Sequence, residues 1–169
     1  LWVTDGTSAG TQLVLDIEPG GEDSRPRELV SLGGVCVFIA GTTALGEELW
    51  RSDGTSLGTF PLVDLEPGPG GSGPHDLVRL RDVALLIART SRGFELWRSD
   101  GTRAGTQLVR SFGGGLARGF LATASEQQAY FLALTPQEGA ELWRTDGTSA
   151  GTRLVADVQD AGLVPQGFV

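Results

Sequence analysis

Several sets of residues in this chain have the types and spacing to do chemistry. Aspartate followed by glycine and threonine occurs four times, at Asp5, Asp53, Asp100 and Asp146, with Ser or Thr hydroxyls close by in each copy. Carboxylate and hydroxyl oxygens on a short loop are the donors calcium takes, but a calcium site gathers several carboxylates and each of these loops supplies one. The same residues also describe a self-satisfied turn. Asp accepts from the N–H two residues on, Gly takes positive φ, and the threonine hydroxyls tie the turn to itself. That turn is the expected role of the four aspartates. Asp16 with Glu18 and Asp64 with Glu66 each precede a Pro-Gly pair. They read either as ligand- or calcium-binding pairs or as solvated carboxylates. His75, the sole histidine, stands beside Asp76 and has the chemistry of half a dyad; with no matching nucleophile, an exposed loop residue is expected. Trp2, Trp50, Trp97 and Trp143 are all the tryptophans present. Such rings stack on sugars or fill cores, and their place inside a repeated block points to the core.

One repeat positions all of these. The block Gly-x-Glu-Leu-Trp-Arg-[Ser/Thr]-Asp-Gly-Thr-x-x-Gly-Thr runs over 46–59, 93–106 and 139–152, and a shorter copy opens the chain at Leu1-Trp2. The tryptophans recur every 46 to 48 residues. A period of that size signals an array of like units. Each unit reads as four short strands. First strands are expected at 28–32, 76–80 and 119–123, and apolar second strands at 35–40, 83–88 and 129–134. The third is Glu-Leu-Trp-Arg, and the fourth follows the closing Thr. Continuous apolar runs of this kind mark strands buried on both faces, and no stretch has a helical period. Four antiparallel strands per unit predict an all-β chain of β-propeller blades. The expected divisions are 1–26 (strands three and four of a partial blade, with its loop), 27–74, 75–115, 116–164, and 165–169 as the start of another blade. Closed propellers have at least four blades, so the sequence reads as a segment of a larger ring whose remaining blades belong to the same parent chain.

Strand alternation sets the Asp-Gly-Thr turns at one end of the units. The interblade loops (from Glu18 to Pro26, from Glu66 to Pro74, and a short Gly113-Gly114-Gly115) and the turns between strands two and three lie at the other. Variable loops on a rigid scaffold are where function concentrates, so the loop end, with Asp16, Glu18, Asp64, Glu66 and His75, is the expected binding face.

Composition narrows the partners. A net charge of −8 and a pI of about 4.6 disfavour nucleic acid and anionic membranes, and no apolar stretch approaches a membrane span. Cys36 is the single cysteine, in an apolar run that suits an inert, buried thiol. Phosphate-binding loops, histidine clusters and paired catalytic carboxylates do not appear as motifs.

The repeated block resembles the bacterial Glu-Leu-Trp-x-x-Asp-Gly-Thr (ELWxxDGT) repeat family, and the resemblance covers essentially the whole chain. It implies a propeller-like member of a secreted or surface protein, extracellular or periplasmic, in a family whose functions are mostly unassigned. There is a fainter similarity to Asp-box propellers, and the Gly-x-x-Leu-Trp portion is shared with quinoprotein repeats. The third copy departs with Ser111 and Gly113 where the others have acids or a proline turn, which weakens a calcium ion in every blade. Three functions are therefore carried forward. The first is a non-enzymatic module binding a glycan or protein at its loop end, without a cofactor other than calcium. The second is part of a glycan hydrolase or quinoprotein oxidoreductase with catalytic groups elsewhere. The third is a structural spacer.

Overall fold

In the computed structural model the chain is all-β, with residues 1–114, 122–125, 127–135 and 139–156 described. Fourteen strands form four antiparallel sheets among these residues. The first sheet has two strands, β1 (Trp2–Val3) and β2 (Gln12–Leu13). The second has β3 (Arg27–Leu32), β4 (Val35–Thr42), β5 (Gly46–Ser52) and β6 (Phe60–Val63). The third has β7 (His75–Leu80), β8 (Val83–Thr90), β9 (Gly93–Ser99) and β10 (Gln107–Ser111). The fourth has β11 (Ala122–Ser125), β12 (Gln128–Thr135), β13 (Gly139–Thr145) and β14 (Arg153–Ala156). Strand order within each sheet is a simple meander, and no sheet closes on itself.

Strands two and three are longer than the apolar runs suggested, because the ladder continues through polar ends; Thr42 still pairs with Gly46 and Cys36 with Ser52. β11 is described from Ala122; the rest of the expected first strand, within 116–121, lies outside the described residues, as does 165–169. No helix among the described residues is long and apolar enough to cross a membrane.

The alternation of side chains explains why both faces of the second strands are apolar. On β4, Val37 and Ile39 join a cluster with Ala84, Leu86 and Ala88 of the next sheet. Phe38 and Ala40, on the other face, join Leu1, Leu15 and Ile17 of the first sheet. The third sheet repeats the pattern, with Leu85 and Ile87 packed against Phe131, Ala133 and Trp143 of the fourth. A strand with a period of two and apolar residues at every position is stable only between two neighbours, and each full ring or branched side chain so buried contributes about 1.5–3 kcal/mol.

Trp50 and Trp143, which are buried, and the half-buried Trp97 each face back onto the preceding sheet. Trp50 packs on the first sheet, Trp97 on the second and Trp143 on the third, where it meets Phe112 edge-on at 5.3 Å and lies under the Arg110 guanidinium at 4.4 Å. Trp2 is 65 % exposed, with no sheet before β1 among the described residues to receive its indole.

The first strands of successive sheets lie side by side, β3 against β7 and β7 against β11. Glu28 and Asp76 sit at matching bulges with φ of 51° and 57°. Left-handed backbone at a non-glycine residue re-aims its side chain, and Glu28 thereby accepts the Leu77 backbone N–H at 2.8 Å, joining one sheet to the next.

Candidate functional site

The two ends of the sheets are organised around different polar groups. At the Asp-Gly-Thr end a single network occurs four times. Asp53 Oδ1 accepts from the Thr55 N–H at 2.9 Å and the Thr55 hydroxyl at 2.7 Å. The Gly54 N–H donates to Ser52 Oγ, the Gly58 N–H to Thr55 Oγ1, and the Thr59 hydroxyl to the Thr55 carbonyl. Equivalent bonds hold Asp5, Asp100 and Asp146. The donors hold these carboxyls below the ordinary aspartate value, the threonine hydroxyl first among them. Gly54 takes φ of 88°, whereas Gly58 is required for space: a Cβ there would run into the Asp53 carboxylate. Every oxygen donor of this end is thus engaged within its own turn or exposed singly.

At the loop end the second sheet borders an open cleft of about 450 Å³. Its walls are the loop from β2 to β3, the turn between β4 and β5, and Pro69-Gly70 of the loop from β6 to β7. Glu18, Glu22, Asp23, Arg25, Thr43 and Glu47 line it. Glu18 is fixed by the Thr43 hydroxyl at 2.7 Å, and Glu47 by a two-pronged pair with Arg27 at 2.7 and 3.0 Å. Arg27 also donates to the Pro74 carbonyl, so three segments meet at one guanidinium. Glu22 and Asp23 are exposed and make no hydrogen bond or ion pair among the described residues, and Arg25 beside them has a left-handed φ of 46°. The cleft therefore presents two unpaired carboxylates and one unpaired guanidinium on braced walls. It can bind charged, hydrogen-bonding groups, with cations favoured by the acid excess.

Of the expected loop-end residues, only Glu18 lines this cleft. Glu66, its counterpart one unit later, accepts the Ser91 N–H at 2.7 Å and so braces the next sheet instead. Asp16 and Asp64 are exposed. No group of three or more His, Cys, Asp or Glu side chains converges among the described residues in a way that could hold a metal. His75 corrects the expectation of a loop residue. It opens β7, paired with Ile87, and its Nδ1 lies 3.0 Å from Asp76 Oδ2. The strand starts one residue early because the position equivalent to Arg27 is already in register with the second strand.

Two groups of functional interest escaped the sequence reading. Glu22, Asp23 and Arg25 were not singled out within the Glu18–Pro26 loop, although the Glu-Asp-x-Arg run was a visible signal, and Glu47 lay unremarked at the start of the third strand. The glutamate of Glu-Leu-Trp is fully buried in all three four-stranded sheets, as Glu48, Glu95 and Glu141. Glu48 accepts from the Ser72 N–H and hydroxyl at 2.7 Å each, and from the Leu65 and Glu66 N–H groups at longer range. Burial pushes its carboxyl above the ordinary glutamate value against the pull of these donors. Glu95 instead takes Arg92 at 2.7 Å and the Trp97 indole N–H at 3.1 Å. Recurrence of an acid within a buried strand was the available signal. Comparison with protein-family models and with curated proteins returned no match for this chain.

Proposed function

We propose that this chain is a non-enzymatic interaction module whose loop end binds a protein segment carrying Lys or Arg. The observation that carries this reading is the cleft at the second sheet, where Glu22 and Asp23 stand unpaired between walls fixed by Glu18–Thr43 and Glu47–Arg27. A loop whose flanking contacts are fixed gives up less backbone freedom on binding a cation than an unbraced one. A protein ligand is preferred to a glycan because no aromatic ring lines the cleft to serve as a sugar platform.

The same reading takes the successive sheets as an arc of a β-propeller in a secreted or surface bacterial protein of the ELWxxDGT kind. Its support is the fourfold block, the meander order and the side-by-side first strands. Titration of the chain with Lys- and Arg-containing peptides tests it, with Glu22→Gln and Asp23→Asn introduced together. Binding that weakens with salt and drops about tenfold in the double variant is expected, corresponding to the loss of one or two charge-assisted contacts. Binding indifferent to both changes, or absent, would discard the cationic-ligand reading.

A further inference from the structure

The second and third sheets share one backbone plan at their loop ends but not one charge. Gly41 faces Glu47 across the β4–β5 ladder, and both line the acidic cleft. At the matching rung of the third sheet Arg89 faces Phe94, with its guanidinium 5.9 Å from the ring centroid. The loops that approach these rungs, 16–27 and 64–75, are equal in length, yet Gly70 and Gly71 stand where the first has Glu22 and Asp23. The acids of one unit give way in the next to two glycines and an arginine.

The other charged side chains of this rim already have partners. Arg92 pairs with Glu95, Glu66 accepts the Ser91 N–H, and His75 meets Asp76. Arg89 is exposed, and among the described residues its side chain makes no hydrogen bond or ion pair, only the contact with Phe94. Phe94 packs on the core between the third and fourth sheets, so the ring that backs the guanidinium is anchored. The loop between the two rungs fixes their separation. The Arg89 N–H donates to the Ser72 carbonyl at 2.8 Å, and the next residue, Gly73, donates its N–H to the Glu47 carbonyl at 3.2 Å. Sheets packed face to face lie about 10 Å apart, which is about three residues of extended chain.

We propose, on the cationic-ligand reading above, that the ligand is an extended protein segment carrying both charges. Its Lys or Arg enters the cleft beside Glu22 and Asp23, and an Asp or Glu about three residues away pairs with Arg89. The Phe94 ring covers one face of the guanidinium and leaves its N–H edge to receive a carboxylate. Arg25, the other unpaired guanidinium, lines the cleft itself. A carboxylate received there stands next to the bound cation, so spacing separates the two recipients. The charge reversal between neighbouring units thus selects a partner by the interval between its basic and acidic residues.

The probes are terminally blocked peptides centred on Lys-Ala-Ala-Glu or Glu-Ala-Ala-Lys, and the same peptides with Gln for Glu, titrated calorimetrically into the 169-residue chain. At least one of the two orders should bind about fivefold more tightly than its Gln form, as one two-pronged guanidinium–carboxylate pair at a surface supplies. Arg89→Gln should abolish that gain and leave binding of the Gln form unchanged. Arg81→Gln removes the same charge at the Asp-Gly-Thr end, beside Asp146, and should preserve the gain. Both arginines are exposed, so both variants should fold as the parent does. Gln forms that bind with no gain from Glu in either order, or a gain that survives Arg89→Gln, would overturn the proposal and leave the cationic-ligand reading standing. Absence of binding by the Gln forms would overturn both.

Discussion

The Asp-Gly-Thr end and the loop end of the sheets are both polar, but they satisfy their polar groups over different distances. At the turn end every donor and acceptor in the network lies within seven residues of its partner, and the geometry repeats to within about a tenth of an ångström in all four copies. At the loop end many of the partners are far apart in sequence, although Arg92 and Glu95 stand only three residues apart. Glu18 and Thr43, Glu66 and Ser91, and Glu48 and Ser72 are separated by more than twenty residues each. The same glutamate of the repeat even changes partner, with backbone N–H groups surrounding Glu48 and a guanidinium meeting Glu95. Local closure copies faithfully from unit to unit; long-range closure follows whatever loop happens to arrive. That difference lets one end stay constant while the other is free to diverge into a recognition surface.

The sharpest test of the contrast is Glu48→Ala. It leaves the buried Leu65 and Ser72 N–H groups, the partly buried Glu66 N–H and the Ser72 hydroxyl without their acceptor, and we expect a loss of about 2–4 kcal/mol after partial rehydration of those groups. Hydrogen exchange should rise first at Leu65, Glu66 and Ser72 and leave the turn at Asp53 protected. A uniform rise across the sheet would mean that the two ends are not independent.

A smaller effect is expected at the other end. Asp100→Ala removes the acceptor of one turn and should cost about 0.5–2 kcal/mol, as loss of a helix N-cap does, read as a shift in the urea midpoint. The other three turns should be unaffected, because no bond of the network crosses between copies.

The smallest effect separates the ends by the sign of their pH dependence. The turn aspartates have folded values below the ordinary 3.8, so the unfolded chain binds protons more readily than the folded one. Their contribution is complete above 3.8 and is lost as pH falls through the lowered values. Glu48 behaves oppositely. Burial raises it above 4.5, so its contribution is present below 4.5 and is lost as pH rises through the raised value. Urea midpoints measured against pH should therefore lose their falling limb above 4.5 in Glu48→Gln while the acid limb remains. An unchanged falling limb would assign it to another group.

How much of this was legible follows the same division by distance. The Asp53 turn can be read from the consecutive residues Ser52 to Thr59, because every bond of its network lies among them. The apolar runs of β4 and β8 announce burial on both faces, since no other arrangement tolerates apolar residues at consecutive strand positions. Trp2 sits in nearly the same local sequence as Trp50, with Val3-Thr4 in place of Arg51-Ser52, and its exposure depends on a sheet that β1 does not have behind it among the described residues. The Glu22-Asp23-x-Arg25 run could be seen but not placed, because its cleft is completed by Glu47 and Pro69-Gly70 from two other segments. Glu48 was missed for a chemical reason: glutamate is ordinarily a surface residue, and only the loop that folds over it reveals it as a buried hub.

The Asp-Gly bonds of the turns have one more consequence, for the age of the molecule. Aspartyl-glycyl linkages are the most prone to cyclise to a succinimide and reopen as isoaspartate, through attack of the glycine nitrogen on the aspartate Cγ. Here that nitrogen is committed to the hydroxyl of Ser52, Ser99 or their threonine equivalents, while Oδ1 is held by the following threonine. The four most labile bonds of the backbone are thereby kept out of reaction geometry for as long as the turns stay folded, and isoaspartate at these sites would serve as a record of time spent unfolded.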